Sequence, residues 1–435
     1  MNVNDFDWKT YLENYEDLRK AGIITKEKAY LHWIIYGRKE GRTDKKKVKV
    51  IQPAPVHIYK FSELPLIIKN YVVHNKLQDR VFYTGKVPFD VYNEIISACD
   101  IGIQIRPGNG GGLSGSVVDC LSLDVPIITG KDIVDSLDID HPMLMGLDLT
   151  KYNDWIPILH DYNYSDSLTK DISSLLLQFI DNKKRGVSII NNNNKISDIV
   201  NSRFENYAKL FIDTLSLKPI DKIAFVTPYP PDFCGIADFT SSTIDKLSQY
   251  VAHIDIFTDA NVEGNNFYHI DDIVHKFKDY SNVIFVVGNS NFHTKVIMYL
   301  KNLGGACILH DEHLYHLYKY LGKIQNNSII DYNKEIPRCF DEIIHSDPLI
   351  VHSKKLQNII KNVYNKDTKY IPFCSFNKLR KFENDELRRI KAKYRIDGDI
   401  NVIVNGRFKY PFHVLKISQF LQKYNVKCKI FFVGS

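Results

Sequence analysis

Residues 81–106, "VFYTGKVPFDVYNEIISACDIGIQIR", decide the fold. "RVFYTG" reads as an apolar strand closed by Gly85, "FDVYNEIISAC" as a helix, and "IGIQIR" as a second strand. Strands alternating with helices at this spacing mean a parallel α/β sheet. The next stretch, "GNGGGLSGSVVDCLSLDVPIITG" (108–130), places three consecutive glycines after the strand, then small hydroxyls, an amphipathic segment and another apolar strand. It reads like a phosphate cradle, although no Gly-Lys-Ser/Thr follows, so it is not the usual triphosphate loop. Arg106 ends the strand, Gly111 and Gly112 turn the chain, and Ser114, Gly115 and Ser116 open the helix. Free N–H groups at a helix start suit a phosphate. Asp119, one to two turns in, suits a hydroxyl pair such as that of a ribose.

The pattern restarts further on. "KIAFVTPYPPDFCGIADFTSSTIDKLSQ" (222–249) is strand, Pro/Gly loop and helix. "HIDIFTD", "NVIFVVGNSNFHTKVIMYLKN", "ACILHDEHLYHLY" and "LIVHSKKLQNII" are then read as apolar strands with polar tips feeding helices, a second doubly wound sheet. "KYIPFCSF" and "DELRRIKAKYRI" read as a connector, and "NVIVNGRFKYPFHVLKISQFLQKYNVKCKIFFVGS" (401–435) gives a third start of strand, helix and strand.

In open α/β sheets ligands sit beyond the carboxyl ends of the strands, so the strand tips are the candidate site. Gly235 allows close backbone approach at a helix start. His293 follows the "VVGNSNFH" tip, and His310 is expected as a polar strand-tip residue facing a cleft, with Asp311 beside it. His310, His313 and His316 drift around a helix rather than sharing a face, and no His-Glu-x-x-His spacing exists, so no metal site is assigned. Arg407, after Gly406, is a candidate diphosphate clamp with Lys409, because an arginine fork matches phosphate oxygens in pairs.

Residues 1–45 stand apart as a helical module. Tyr11, Leu12, Tyr15 and Leu18 have helical spacing, and Ala29, Trp33 and Tyr36 repeat it after a break at Gly22. So few residues bury little, which favours a packing or docking role toward another protein or domain. "KKKVKVIQPAPVHIYK" (45–60) is linker-like, and its basic run reads as a solvated face. The expected organisation is thus a helical module at 1–45, a linker at 46–60 and Rossmann-like segments at 61–216, 217–385 and 386–435.

Bulk properties narrow the function. The 435 residues carry 57 basic and 51 acidic side chains, a net charge of +6. That mild excess gives no argument for nucleic acid and is compatible with anionic small molecules or a loose membrane-surface association. MNVNDFDW lacks the basic and apolar regions of a secretory signal. Apolar runs are of strand length. The seven cysteines show no C-x-x-C, so reduced thiols in a cytoplasm are expected, with peripheral membrane contact allowed.

Together these pieces resemble the GT4-like retaining glycosyltransferases of the GT-B fold, over nearly everything from about residue 60 onward. "VFYTGKVPFDVYNEIISACDIGIQIR" looks like the family's run before the donor site, and "SVVDCLSLDVPIIT" like the run after it. "KIAFVTPYPPDFCGIADFTSSTIDKL" resembles the start of the acceptor lobe, and "VIVNGRF … KIFFVGS" the start of the donor lobe. The resemblance implies two Rossmann-like lobes and a nucleotide sugar (UDP-, GDP- or TDP-linked) as co-substrate, with no bound cofactor. It also implies transfer of a hexose with retention to a glycan, lipid-linked or protein acceptor, as in surface-polysaccharide synthesis. In this reading Arg407, Lys409, Arg106 and the Gly111–Gly115 loop hold the diphosphate, Asp119 the ribose, and His310 and Asp311 act near the transferred sugar. Gly235 and His293 shape the acceptor side. The module at 1–45 is similar to a small repeat seen beside such enzymes.

Three features depart from the family. The order is rearranged: the latter part of a donor lobe comes first, then an acceptor lobe, then the opening of a donor lobe. Either the chain is a segment of a tandem enzyme, or it is a circular permutant in which 401–435 completes the sheet of 61–216. The second is preferred, since an unfinished β-α-β leaves a costly open edge. In addition, Gly112 stands where the family's donor loop has its first glutamate, and Phe412 and His413 stand where a lysine is usual. A catalytically degenerate binding or scaffold subunit is therefore the alternative. A nicotinamide enzyme is the disfavoured reading.

Overall fold

A parallel strand covered on both faces needs apolar side chains at successive positions. "INVIVN" (400–405) and "CKIFFV" (428–433) come close to this, and every position of both strands is buried. The computed structural model describes residues 6–37, 59–64, 66–105, 113–152, 166–185, 195–232, 234–324, 337–374, 379–406 and 412–434. Two units divide the chain, Met1–Val56 and His57–Ser435.

In the first unit the helices are α1 (Trp8–Asn14), α2 (Glu16–Lys20) and α3 (Lys26–His32), the last running into a π-helical turn, Trp33–Gly37. Asp7 caps α1 by accepting from the Thr10 N–H, and Thr25 caps α3 by accepting from Lys28. The core is Phe6, Tyr11, Leu12, Leu18, Ala29 and Trp33. Tyr36, expected on this face, is 56% exposed. The expectation assumed a period of 3.6, and the wider π turn carries Tyr36 off the stripe.

The second unit begins with α4 (Leu66–His74), β1 (Val81–Gly85), α5 (Phe89–Ala98), β2 (Ile101–Gln104), α6 (Gly115–Ser122), β3 (Ile127–Gly130), α7 (Lys131–Leu137), β4 (Leu144–Leu147), α8 (Asp166–Lys184) and α9 (Ile196–Leu215). It continues through β5 (Lys222–Val226), α10 (Gly235–Leu247), β6 (His253–Thr258), β7 (Phe267–His269), α11 (Ile273–Lys276), β8 (Asn282–Val287), α12 (Thr294–Leu303), β9 (Ala306–Leu309), α13 (Tyr315–Tyr320), β10 (Leu349–Val351), α14 (Lys354–Tyr364) and β11 (Lys369–Tyr370). It closes with α15 (Asn384–Lys393), β12 (Ile400–Asn405), α16 (Phe412–Gln422) and β13 (Cys428–Val433).

Two all-parallel sheets result, ordered β1-β13-β12-β2-β3-β4 and β11-β10-β9-β8-β5-β6-β7. Strand β13 pairs with β1 on one side (Phe82 opposite Phe431) and with β12 on the other (Ile403 opposite Phe431). Strand β12 then pairs with β2 through Val402 opposite Ile101. The stretch at 401–435 thus supplies two inner strands to the sheet that holds 81–147. Counted from β12 and continuing at β1, the first sheet runs 3-2-1-4-5-6, the order of a doubly wound Rossmann-like sheet, and the second follows the same rule with one added edge strand.

Alternation assigns the two faces of the first sheet. Val402, Val404, Ile430 and Phe432 face α4, α8 and α16, whereas Ile403, Phe431 and Val433 face α5, α6, α7 and α15. Fully burying one such side chain contributes roughly 1.5–3 kcal/mol. The segment "DELRRIKAKYRI", read as a connector, forms α15, whose Ile390 and the following Tyr394 join the first lobe's core. Helix α9 spans both lobes: Ile196 and Val200 pack in the first lobe's core, Tyr207, Phe211 and Leu215 in the second's.

Candidate functional site

The switch point of the first sheet lies between β12 and β2, where the strand order reverses. Gly406 at the tip of β12 has φ +86°, and a Cβ there would lie 2.3 Å from Ser116 Oγ at the start of α6. Gly434 beyond β13 has φ +130°, and its Cβ would lie 2.3 Å from the Gly406 carbonyl oxygen. Only glycine allows this close row of strand tips beside the α6 N-terminus. Ser114 is the N-cap residue and is fully buried, but its side chain does not cap the helix, and a Cβ on Gly115 would meet nothing within 4 Å. The first N–H groups of a helix lack intrahelical acceptors, so this end can receive an anion or a hydroxyl.

Asp119, expected to hold a ribose, is 3% exposed and accepts a hydrogen bond from Tyr92 Oη at 2.8 Å. Asn405 Nδ2 donates to that phenol oxygen (2.9 Å) and to the Ser116 carbonyl (3.1 Å). Burial first, and then the Asp119 charge, pushes the Tyr92 hydroxyl far above its ordinary range, so it stays a donor. This buried network ties α5, α6 and β12 together directly beneath the switch point. Arg106, Gly111, Gly112, Arg407 and Lys409 lie outside the described residues.

The second lobe presents its own strand tips. Gly235 begins α10, which has no side-chain cap, and the space at its Cβ position is open. Asp238, in the first turn of α10, has its carboxyl raised by burial against the opposing pull of Lys86, which follows β1 of the first lobe. Phe239 packs against the cores of both lobes. The carboxyl ends of the two sheets therefore face one another.

At the tips of β8, β9 and β10 stand three buried histidines. His310 is 7% exposed, edge-on to Phe239 with ring centroids 4.7 Å apart, and 4.8 Å from the His352 ring. It stands at a strand tip, as expected, but inside a cage of rings rather than facing an open cleft. His293 Nδ1 lies 3.0 Å from the Val286 carbonyl and His352 Nδ1 2.8 Å from that of Ile371. A carbonyl only accepts, so Nδ1 carries the hydrogen in both rings. Burial lowers His293 and His352 to about 4 and His310 well below its ordinary value, leaving all three neutral at pH 7. The Nε2 atoms of all three are buried and meet no partner among the described residues. In His293 and His352 that atom is a lone pair able to accept from a hydroxyl. Asp311, placed with His310 as a candidate, accepts from the Asn289 N–H at 2.7 Å, joining the tips of β8 and β9.

Among the described residues one group has metal-ligand spacing, the exposed Asp259, His269 and Asp271. Lys295 Nζ lies 2.9 Å from Asp259 and 3.1 Å from Asp271, so an ammonium already balances these carboxylates.

Tyr92 and Asn405, the partners of Asp119, escape sequence reading, whereas His352 stands at a strand tip that the sequence marks. The signal present was the strand tips themselves, "VNGRF" and "LIVHS". No helix among the described residues is long and apolar enough to cross a membrane. No protein-family model matches the chain, and no curated protein or solved structure is significantly similar to it.

Proposed function

We propose that the chain is a nucleotide-sugar-dependent glycosyltransferase with two facing lobes of GT-B type, the first holding the donor and the second the acceptor. One observation carries this reading: a complete doubly wound sheet whose switch point joins the Gly406 and Gly434 tips to an uncapped α6 start, opposite a second such sheet. That crevice suits a diphosphate, with Arg407, Lys409 and Arg106 as its cations and the Gly111–Gly115 loop as its cradle. The donor's leaving charge would be met by these groups. Asp119 acts through Tyr92 and the α6 start as a buried anion near the helix N-terminus. His310 shapes the acceptor side near the transferred sugar from its strand tip, with the neutral rings of His293 and His352 packed behind it. Facing lobes exclude water, which limits wasteful hydrolysis of the donor. The acceptor is a glycan, a lipid-linked sugar or a protein, and the work is done in the cytoplasm, at a membrane surface where the acceptor is lipid-linked.

The second reading is a degenerate glycosyltransferase serving as a binding or scaffold subunit. Two observations favour it: Gly112 replaces the donor-loop glutamate, and the Asp119 carboxylate is already engaged by Tyr92. Calorimetric titration of the folded chain with UDP-, GDP- and TDP-sugars tests the main proposal. Binding to at least one, weakened in Arg407→Ala, is expected. A folded protein that binds none of them would overturn it.

A further inference from the structure

Two residues after His310, Glu312 leaves its own lobe. It is 3% exposed. One carboxylate oxygen lies 2.5 Å from Ser136 Oγ on α7 of the first lobe, and the other lies 2.8 Å from Lys355 Nζ on α14 of the second. Ser136 has one hydroxyl hydrogen and two acceptors in reach, this carboxylate and the Asp132 carbonyl at 2.7 Å. The charged acceptor takes it. Asp132 completes the cluster from α7: burial raises its carboxyl, Lys355 opposes that, and Glu312 adds to it.

The same contact region holds two further ties. Asp138, at the end of α7, accepts from the Lys354 N–H at the start of α14 (2.8 Å), and Arg203 of α9 donates to the Leu137 and Asp138 carbonyls. On the other side, the turn after β9 is fixed throughout. The His310 N–H donates to Val287, the Leu314 N–H to the Arg338 carbonyl, and Arg338 Nη1 to the Glu312 carbonyl.

We propose that Glu312 is a positioning residue that couples docking of the two lobes to the conformation of the His310 turn. Its carboxylate is satisfied on both oxygens only while α7 is docked. Separation of the lobes at α7 exchanges the Ser136 hydroxyl for water on that oxygen and removes a contact that holds Glu312 in place, and the turn that carries His310 then relaxes. The inference goes beyond the glycosyltransferase reading and does not require it, because its test uses no nucleotide sugar.

Hydrogen exchange of the full chain measures it, segment by segment, in the wild type, Ser136→Ala, Ser136→Thr and Glu312→Gln. Ser136→Ala is expected to speed exchange about tenfold in 131–138 and, across the lobe boundary, in the His310 and Leu314 amides. Ser136→Thr keeps the hydroxyl and is expected to restore both. Glu312→Gln keeps the shape and is expected to loosen both segments, with 222–226 unchanged as the sign that the second lobe stays folded. Unchanged exchange at His310 and Leu314 in Ser136→Ala, with or without a change at 131–138, overturns the coupling. So does failure of Ser136→Thr to restore it.

Discussion

The buried histidines make stability fall between pH 6.5 and 5. In the unfolded chain each imidazole titrates near 6.5. In the folded protein burial holds His293 and His352 down to about 4. As pH falls below 6.5 the unfolded state therefore takes up protons that the folded state refuses, and stability is lost. The loss begins near the unfolded value and levels off only below the folded one. Between pH 7 and 5 each ring costs about 2 kcal/mol, about 4 kcal/mol for the pair. His310, lowered further still, adds a loss of the same sign. Against a total stability of roughly 5–15 kcal/mol this is large. The His310 and His352 rings face one another and Phe239, and His352 also meets Phe373 and Tyr207, while the carboxylates on adjoining elements are Asp311, after β9, and Asp238, beside Phe239 on α10. Asp238 and Asp132 have raised carboxyls, which bind protons in the folded state first and so oppose the loss toward pH 4.

Urea denaturation at half-unit steps from pH 7.5 to 5, followed by circular dichroism, reads the effect. The slope near pH 5.5 should correspond to two to three protons taken up on unfolding, roughly one for each buried ring. His352→Phe, which keeps a ring in the cage, should reduce the slope by about one proton. A flat profile from pH 7 to 5, or an unchanged slope in His352→Phe, would refute the picture of neutral buried rings.

Two further outcomes are expected. Tyr92→Phe removes the hydroxyl that links Asp119 to Asn405 and leaves both polar groups buried with one partner fewer, so thermal and urea unfolding should show a loss of about 1–3 kcal/mol. A chain shortened to residues 1–399 loses β12 and β13, which leaves β1 without the strand it pairs with and β2 with β3 alone, so limited proteolysis should digest 66–147 while fragments covering 222–374 persist.

Long apolar strands with polar tips were legible because a doubly covered parallel strand writes its burial into consecutive residues. The strands that went unread are β4, β7 and β11, all at sheet edges and at most four residues long. "LMGL", "FYH" and "KY" hold too few positions to show a period. Helix α15 was read as a connector because six of its ten residues, "NDELRRIKAK", are charged, and only Ile390 is buried within it. Its place in the first lobe depends on Ile390 and Tyr394 meeting α5, which no local pattern announces. The start of α6 at Gly115 was legible, since small hydroxyls and a glycine before an apolar run mark a helix start. The network behind it was not, because Tyr92 and Asn405 lie 313 positions apart and become neighbours only through the strand order. Glu312 looked like one acid among the polar residues of "HDEHLYH", and its partner Ser136 lies 176 positions away.

Strand order, rather than chain order, decides the pairing in the first sheet. Hydrogen bonds between parallel strands depend on register and neighbour, and β13 fits between β1 and β12 whichever end of the chain supplies it. The cost is paid in folding. The second lobe draws all its strands from 222–370, so its contacts close short loops. The first lobe must bring 400–433 back to 81–104, across the whole of the second, and such non-local pairing is slow because loop closure precedes its reward. The second lobe is thus the natural template. Helix α9 enters it from one side and the segment leading to α15 leaves it from the other, so its folding brings the two halves of the first sheet together. The Gly406–Ser116 contact forms only after that meeting. The Gly406–Ser116 approach in the first lobe thus joins segments that the whole second lobe separates in sequence.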